Sequence, residues 1–382
     1  MIEFSDEQEA FRAVVRDFAR TRLAPRVDEW EAAGELPLDA VARMAELGLF
    51  GIVFPEEWGG SGGDFTSLCI AIEEIGQVSQ SLGITLSAAV GLGANPICSF
   101  GTPDQKAQWL PDLVAGRRLG AFGLTEPDAG SDAGGTRTQA RLDDTTDEWV
   151  LNGSKAFITN SGTPITSIVT ATALTGPGRI SAFVVPAGTA GMLIEPAYRK
   201  LGWHASDTHG ITFSECRIPA ANMLGREGSG LHNFLTILDD GRIAISALAV
   251  GCAQACLDLA VAYAQERKAF GGPIGRFQGL AFQLADLAVA VENSRNLTYG
   301  AARLKDRGKP FRQAAAMAKL YSTETAVDAT RVATQVFGGS GFMEENPVAR
   351  FYRDAKILEI GEGTSEIQRL VIARGLGLEA AT

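Results

Sequence analysis

Apolar positions recur at helical spacing through the first part of the chain. Ser5 and Gln8 frame a capping box, and Phe11, Val14, Val15 and Phe18 then fall three or four residues apart until Pro25, which predicts an amphipathic helix. A second helix is predicted from Pro37 to Gly48. A Gly-rich loop follows (Glu57 to Asp64), then helices near 64–81, 82–100 and 104–116, the last capped by Asp104. From about 119 to 225 the period shortens to two. Glu148–Leu151, Asn152-Gly153 and Ser154–Phe157 predict two strands joined by a type I′ turn, because Asn-Gly accommodates positive φ. The β-branched runs Ile168–Leu174, Ile180–Val185 and Ile211–Glu215 add strands, with turns at Gly176-Pro177-Gly178 and Thr189–Gly191. From 226 onward long apolar stripes return over Asp239–Arg267, Arg276–Arg307 and Pro310–Phe337, broken at Gly271-Gly272-Pro273 and Gly308. Their short connections predict an antiparallel bundle.

Helices, then strands, then helices is an α+β order and not an alternating βαβ one. It divides the chain into an N-terminal helical domain (1–118), a compact β-barrel-like middle domain (119–225) and a C-terminal helical bundle (226–382). With 382 residues and 46% hydrophobic content, the chain can bury a sizeable core, which excludes wholesale disorder. There are 45 acidic against 34 basic residues and no basic run, which argues against a nucleic-acid partner. The longest apolar stretch, Ala244–Cys256, is shorter than the ~18 residues of a spanning helix, so no membrane span is expected. The acidic start (MIEFSDEQEAF) resembles neither a secretory signal nor a transit peptide, and a soluble cytoplasmic protein is expected. The five cysteines show no CxxC; Cys252 and Cys256 share a helix face as packing thiols. Three scattered histidines and no HExxH leave no expected metal site.

No GxGxxG opens a helix after a strand, and no GxxxxGK[ST] is present, so neither Rossmann nor P-loop binding is supported. Leu124–Asp132 (LTEPDAGSD) is a Gly/Ser/Thr-rich turn. Its N–H groups and the hydroxyls of Thr125 and Ser131 can bind a polar aromatic edge or an anionic oxygen. Alone it serves equally as an ordinary capped turn. Likewise Glu362 alone is a helix-start acid obeying the dipole, Asp239 and Arg242 an i,i+3 surface pair, and Gln335–Gly341 a helix C-cap.

Four further segments change that reading: Lys155–Asn160 (KAFITN), Glu266–Gly271 (ERKAFG), Gln335–Gly341 (QVFGGSG) and Arg353–Arg369 (RDAKILEIGEGTSEIQR). With LTEPDAGSD, in this order and spacing, the chain resembles the acyl-CoA dehydrogenase family of flavoproteins over nearly its whole length. The resemblance implies FAD, an acyl-CoA thioester, α,β-dehydrogenation to the trans-2-enoyl-CoA, and a homotetramer passing electrons to electron-transferring flavoprotein. It makes Glu362, in Gly361-Glu362-Gly363-Thr364, the base that removes the α-proton. Some relatives carry the base on the long helix that opens the C-terminal domain, where this chain has Gly241, which cannot serve.

The other assignments follow by position. Phe122, Leu124, Thr125 and Ser131 match the strand and turn that meet the flavin ring, with Ser131 also reaching the acyl-CoA. Phe157, Ile158 and Thr159 match a segment that flanks the ring, Phe157 standing where the family has Trp. Arg267 and Phe270 match residues gripping the FAD diphosphate, Gln335 and Gly339 match adenosine-side residues from a neighbouring subunit, and Thr364 and Glu366 match the last FAD contacts. Glu366 stands where many members have Gln or Asn, and an acid is less welcome beside a diphosphate. Asp239, Arg242, Gly361 and Gly363 fall on the substrate side. The following helix N-terminus is expected to keep Glu362 weakly basic until an acyl chain expels water. Gly361 replaces the Tyr of many straight-chain members, as in isovaleryl-type relatives, and should leave lateral room for a branched acyl group. Two other readings stand beside the dehydrogenase: an acyl-CoA oxidase or related flavin monooxygenase, and a non-catalytic acyl-CoA- or flavin-binding scaffold.

Overall fold

The computed structural model describes residues 2–379. The N-terminal part holds α1 (Asp6–Phe18), α2 (Val27–Ala33), α3 (Leu38–Glu46), α4 (Phe65–Gly76), α5 (Gln80–Ser87), α6 (Asn95–Phe100) and α7 (Pro103–Val114). The Ser5–Gln8 capping box forms as predicted, whereas Thr102 and not Asp104 caps α7, in a second box with Gln105. Between α5 and α6 the helix continues as a π-helical turn, Ala88–Ala94. Such insertions favour functional sites because they re-aim the backbone. Here Gly93 lies against Gly120, where an added Cβ would stand 2.6 Å from the Gly120 carbonyl oxygen.

The middle part is one eight-stranded sheet: β1 (Leu119–Gly123), β2 (Gln139–Asp143), β3 (Glu148–Thr159), β4 (Thr166–Gly176), β5 (Arg179–Pro186), β6 (Met192–Ile194), β7 (Thr208–Pro219) and β8 (Met223–Leu224). The order is β6-β7-β3-β2-β4-β5-β8, and β1 pairs in parallel with β4. The sheet curls on itself around its own core. Trp149 of β3 meets Phe183 of β5, three strands away, with ring centroids 5.2 Å apart.

The predicted Asn152-Gly153 hairpin turn is not there. Glu148–Thr159 is a single strand with a bulge at that point, and the chain reverses earlier, over Asp144–Asp147. A type I′ turn needs positive φ at both central residues. Gly153 alone has it (φ 147°), while Asn152 bonds its amide to Glu215 of β7 in both directions. At Asp144–Asp147 the Asp143 carboxylate accepts from Thr145, and Asp147 takes φ 54°.

The C-terminal part comprises α8 (Gly230–Glu266), α9 (Gln278–Asp306), α10 (Arg312–Phe337), α11 (Pro347–Ala355) and α12 (Ser365–Gly375). Helix α8 begins well before the predicted Asp239, because Phe234 and Ile237 continue its buried face. Cys252 and Cys256 are free thiols buried on that helix. By length and composition Gln80–Phe100 and Gly230–Glu266 are long and apolar enough to cross a membrane, contrary to the reading of the uninterrupted apolar stretch. In each, 83% of the apolar window is buried inside the fold.

Candidate active site

Glu362 sits in a tight turn between a 3-10 turn (Lys356–Glu359) and α12. The turn is built on two left-handed residues in succession, Glu362 (φ 53°) and Gly363 (φ 96°), and closed by Thr364, whose hydroxyl caps α12 by accepting from the Ile367 N–H. A non-glycine residue at positive φ is strained, and strain of this kind gathers at functional sites. The carboxylate is thereby aimed at α8. There Gly241 supplies no side chain, and a Cβ added to it would stand 1.9 Å from Glu362 Oε2. That oxygen is buried and has no hydrogen-bond partner among the described residues. Burial pushes the Glu362 carboxyl up to about 7, opposed by Lys319 and Arg242. This corrects the expectation that the helix N-terminus keeps it weakly basic: desolvation dominates before any substrate enters.

Helix α8 organises the groups around this carboxylate. Phe234 stacks on Phe122 of β1 at 4.1 Å. Gly241 lies two turns further along, about 10 Å of axial rise. The strand leading to the LTEP turn and the Glu362 turn therefore meet the same helix on neighbouring levels. Asn95, just after the π-turn, donates to Asp240 at 3.1 Å, and Lys305 of α9 pairs with the same Asp240 at 2.7 Å. Arg242 is buried and pairs with Asp239, which Arg312 of α10 also approaches at 3.6 Å. This i,i+3 pair joins a buried arginine to a partly buried aspartate and is not a surface pair.

The LTEP turn is held by a cation that the sequence reading passed over. Lys155 is buried, and its Nζ donates to Glu126 (2.7 Å), Thr172 (3.1 Å) and the Leu124 carbonyl (3.3 Å). Glu126 also accepts the N–H groups of Arg137 and Thr138, and the Ala156 N–H donates to the Thr125 carbonyl at 2.9 Å. Burial brings Lys155 down to about 8, against the pull of Glu126. Thr125 is thus locked beside Phe157 and Thr159. Phe157 is 66% exposed at φ 61°, with Tyr198 beside it. An exposed aromatic flanked by uncharged hydroxyls suits a flat heteroaromatic ring. Not every matched residue offers its side chain, however. Phe122, Leu124 and Ile158 are buried in protein cores, so they can present backbone only, and Ser131 is exposed on the turn.

A second group lies far from the first. Arg267 ends α8, Phe270 follows it 89% exposed at φ 52°, and Gln335 and Gly339 are exposed at the end of α10. Tyr263 stacks on Phe337 at 4.1 Å, which places the two helix ends together. From Gly241 to Arg267 is about 39 Å of helix axis. All four residues therefore share one end of one protomer, at the far end of α8 from Gly241. Glu366 is exposed in the first turn of α12, and Thr364 is committed to capping it.

A helical layer, a curled sheet with an exposed aromatic, and a helical bundle carry these residues in that order along the chain. Family models for the acyl-CoA dehydrogenase N-terminal, middle and C-terminal domains match residues 5–117, 121–216 and 228–377. The chain belongs to the acyl-CoA dehydrogenase family and is an oxidoreductase of that class. It is 50% identical to the probable acyl-CoA dehydrogenase YngJ of Bacillus subtilis over 98% of this chain and 99% of that one. Its fold matches the butyryl-CoA dehydrogenase of Megasphaera elsdenii with TM-score 0.95 and 42% identity, covering 99% and 100% of the two chains. A chain in a structure of the electron transferring flavoprotein of Acidaminococcus fermentans matches with TM-score 0.96 and 41% identity over both whole chains. A glutaryl-CoA dehydrogenase of Mycobacterium smegmatis in complex with FADH2 matches with TM-score 0.94 and 31% identity, over 99% and 97%.

Proposed function

We propose that this chain dehydrogenates a short acyl-CoA between its α- and β-carbons, with Glu362 removing the α-proton. The observation that carries the reading is Glu362 Oε2: buried, without a hydrogen-bond partner among the described residues, and facing the gap left by Gly241. A base near neutrality combines availability with proton affinity, which is what general-base catalysis requires. FAD is the family's cofactor, and when bound it would supply the hydride acceptor for the β-carbon. The Thr125, Phe157 and Thr159 surface would hold the ring, and Thr364 and Glu366 would add the last FAD contacts. Arg267, Phe270, Gln335 and Gly339 would hold the diphosphate and adenosine of a partner subunit's FAD, since they stand too far from their own Glu362. That arrangement makes the protein a homo-oligomer, and a tetramer is the family's usual form. Arg242 and Asp239 would serve the CoA side of the substrate, Gly361 and Gly363 would lie beside the acyl group, and Ser131 would reach the acyl-CoA.

The short acyl class is supported by the butyryl-CoA dehydrogenase likeness. An electron-transferring flavoprotein as acceptor is supported by the likeness to a chain in the Acidaminococcus fermentans structure. The test is spectroscopic. Anaerobic addition of butyryl- or isovaleryl-CoA should bleach the yellow protein, and the reduced protein should then reoxidise with the flavoprotein acceptor much faster than with air. Rapid reoxidation by air alone would make it an oxidase, and no bleaching by any acyl-CoA would make it a scaffold.

A further inference from the structure

Helix α10 carries a lysine, Lys319, that is 0% exposed, on a stretch of helix where Ala315, Ala316, Ala318, Ser322 and Thr323 are buried as well. Burying an ammonium in such a setting is costly unless something compensates it. Its Nζ donates to the Gly363 carbonyl at 2.8 Å, and Gln368 Nε2 of α12 donates to the same oxygen at 2.8 Å. Gly363 directly follows Glu362, and both are left-handed, so this doubly held carbonyl pins the peptide that aims the carboxylate. We propose that Lys319 is a positioning residue for Glu362: it clamps the 361–364 turn through the Gly363 carbonyl and sets a buried positive charge behind the carboxylate. The proposal rests on the reading of Glu362 as the base.

The charges facing Glu362 come from several elements. Lys319 of α10 and Arg242 of α8 act on it directly. Asp239 and Arg312 act on Arg242, and Glu359 of the preceding 3-10 turn and Glu366 of α12 act on Lys319. Arg242 is already paired with Asp239, whereas Lys319 spends its bond on a neutral carbonyl. Lys319 therefore keeps the larger share of its charge for Glu362. Burial brings Lys319 down to about 8, and Glu362 is the leading influence holding it up. The two groups support each other's charged forms without touching.

Two substitutions separate the clamp from the charge. Lys319→Met keeps much of the volume but removes both donor and charge. Lys319→Gln removes the charge and keeps an N–H donor on a side chain one atom shorter, with Gln368 still donating to the Gly363 carbonyl. The measurement is the protonation midpoint of Glu362 in the FAD-loaded enzyme without substrate. It is read by isotope-edited infrared difference spectroscopy and assigned against Glu362→Gln, with FAD content and thermal midpoint recorded alongside. The expected result is a midpoint raised by about one pH unit or more in Lys319→Gln, matched by the acid limb of flavin reduction. If Lys319→Met fails to load FAD, Lys319→Gln decides alone. An unchanged midpoint in folded, FAD-loaded Lys319→Gln overturns the proposal. Full-speed flavin reduction by Glu362→Gln would instead overturn the base assignment and leave the infrared midpoint of Glu362 still readable.

Discussion

Gly241 and Glu362, far apart in sequence, meet across α8 so closely that glycine is the residue the site can take: an added Cβ would stand 1.9 Å from Glu362 Oε2. The clash falls on the free end of a flexible side chain, so Gly241→Ala should fold and bind FAD while displacing the carboxylate. A misplacement of about 1 Å at a reacting group can cost ~10²-fold, and flavin reduction should fall by that order. Stopped-flow reduction at wild-type rate would show that the carboxylate position is not critical.

Glu362→Gln retains shape and one acceptor but cannot take a proton. Acyl-CoA and FAD should still bind, while flavin reduction falls ~10²–10⁴-fold. In the wild type the same group makes reduction rise with pH through about 7, because the carboxylate is the active form. A flat pH profile for the reductive half-reaction would contradict this.

Arg267→Ala removes the guanidinium from the shared end of α8 and α10. A charge-assisted hydrogen bond is worth ~1.5–3 kcal/mol, so FAD should bind about tenfold or more weakly. If these residues serve a partner's flavin, FAD occupancy and assembly should fall together in light scattering. A fully FAD-loaded monomer would refute the sharing.

Gly361 has open space where a side chain would project; the Ile357 carbonyl oxygen, at 3.5 Å, is the nearest atom an added Cβ would meet. Branched acyl groups should therefore be preferred. Gly361→Tyr should lower kcat/KM for isovaleryl- and isobutyryl-CoA relative to butyryl-CoA by about 10- to 200-fold, the range of one well-placed methylene. An unchanged ranking across these substrates and octanoyl-CoA would place the determinant elsewhere.

Asp354 is buried where α11, α2 and the loop before β7 come together. Its Oδ1 accepts the Trp203 N–H at 2.6 Å, and its Oδ2 has no partner. Burial, reinforced by Glu31, pushes it up to about 7 from the usual 3.8. Between those values the native state keeps a proton that the unfolded chain has released. The stabilisation is thus complete below about 4 and lost as pH rises through about 7. Asp354→Asn keeps the acceptor for Trp203 and removes the titration. Its Tm should fall less than the wild type's between pH 5 and 8, by about 2 °C or more. Parallel curves would show that Asp354 does not govern this dependence.

Local patterning carried much of the architecture. The Ser5 capping box, the helical stripes of α8 to α10 and the β-branched runs each express a periodicity that any burial on that face must respect. The GEGT segment and its companions likewise marked Glu362, because they are contiguous. Asn152-Gly153 was misleading for a physical reason: a turn and a bulge both use glycine's freedom, and only pairing with β7 and the crowding by Thr138 select the bulge. What tertiary structure alone decided is what lies between elements distant in sequence. Lys155 follows Asn152-Gly153-Ser154 and Lys319 sits in an alanine-rich run, and nothing local shows which carbonyl or carboxylate faces either. The Glu362 carboxyl is raised, not lowered, because burial outweighs the opposing charges of Lys319 and Arg242, which packing brings from α10 and α8. The joining of Arg267 to Gln335 at one end of the bundle, away from Glu362, follows from helix length and direction. Sequence sets those one helix at a time, and only packing relates them.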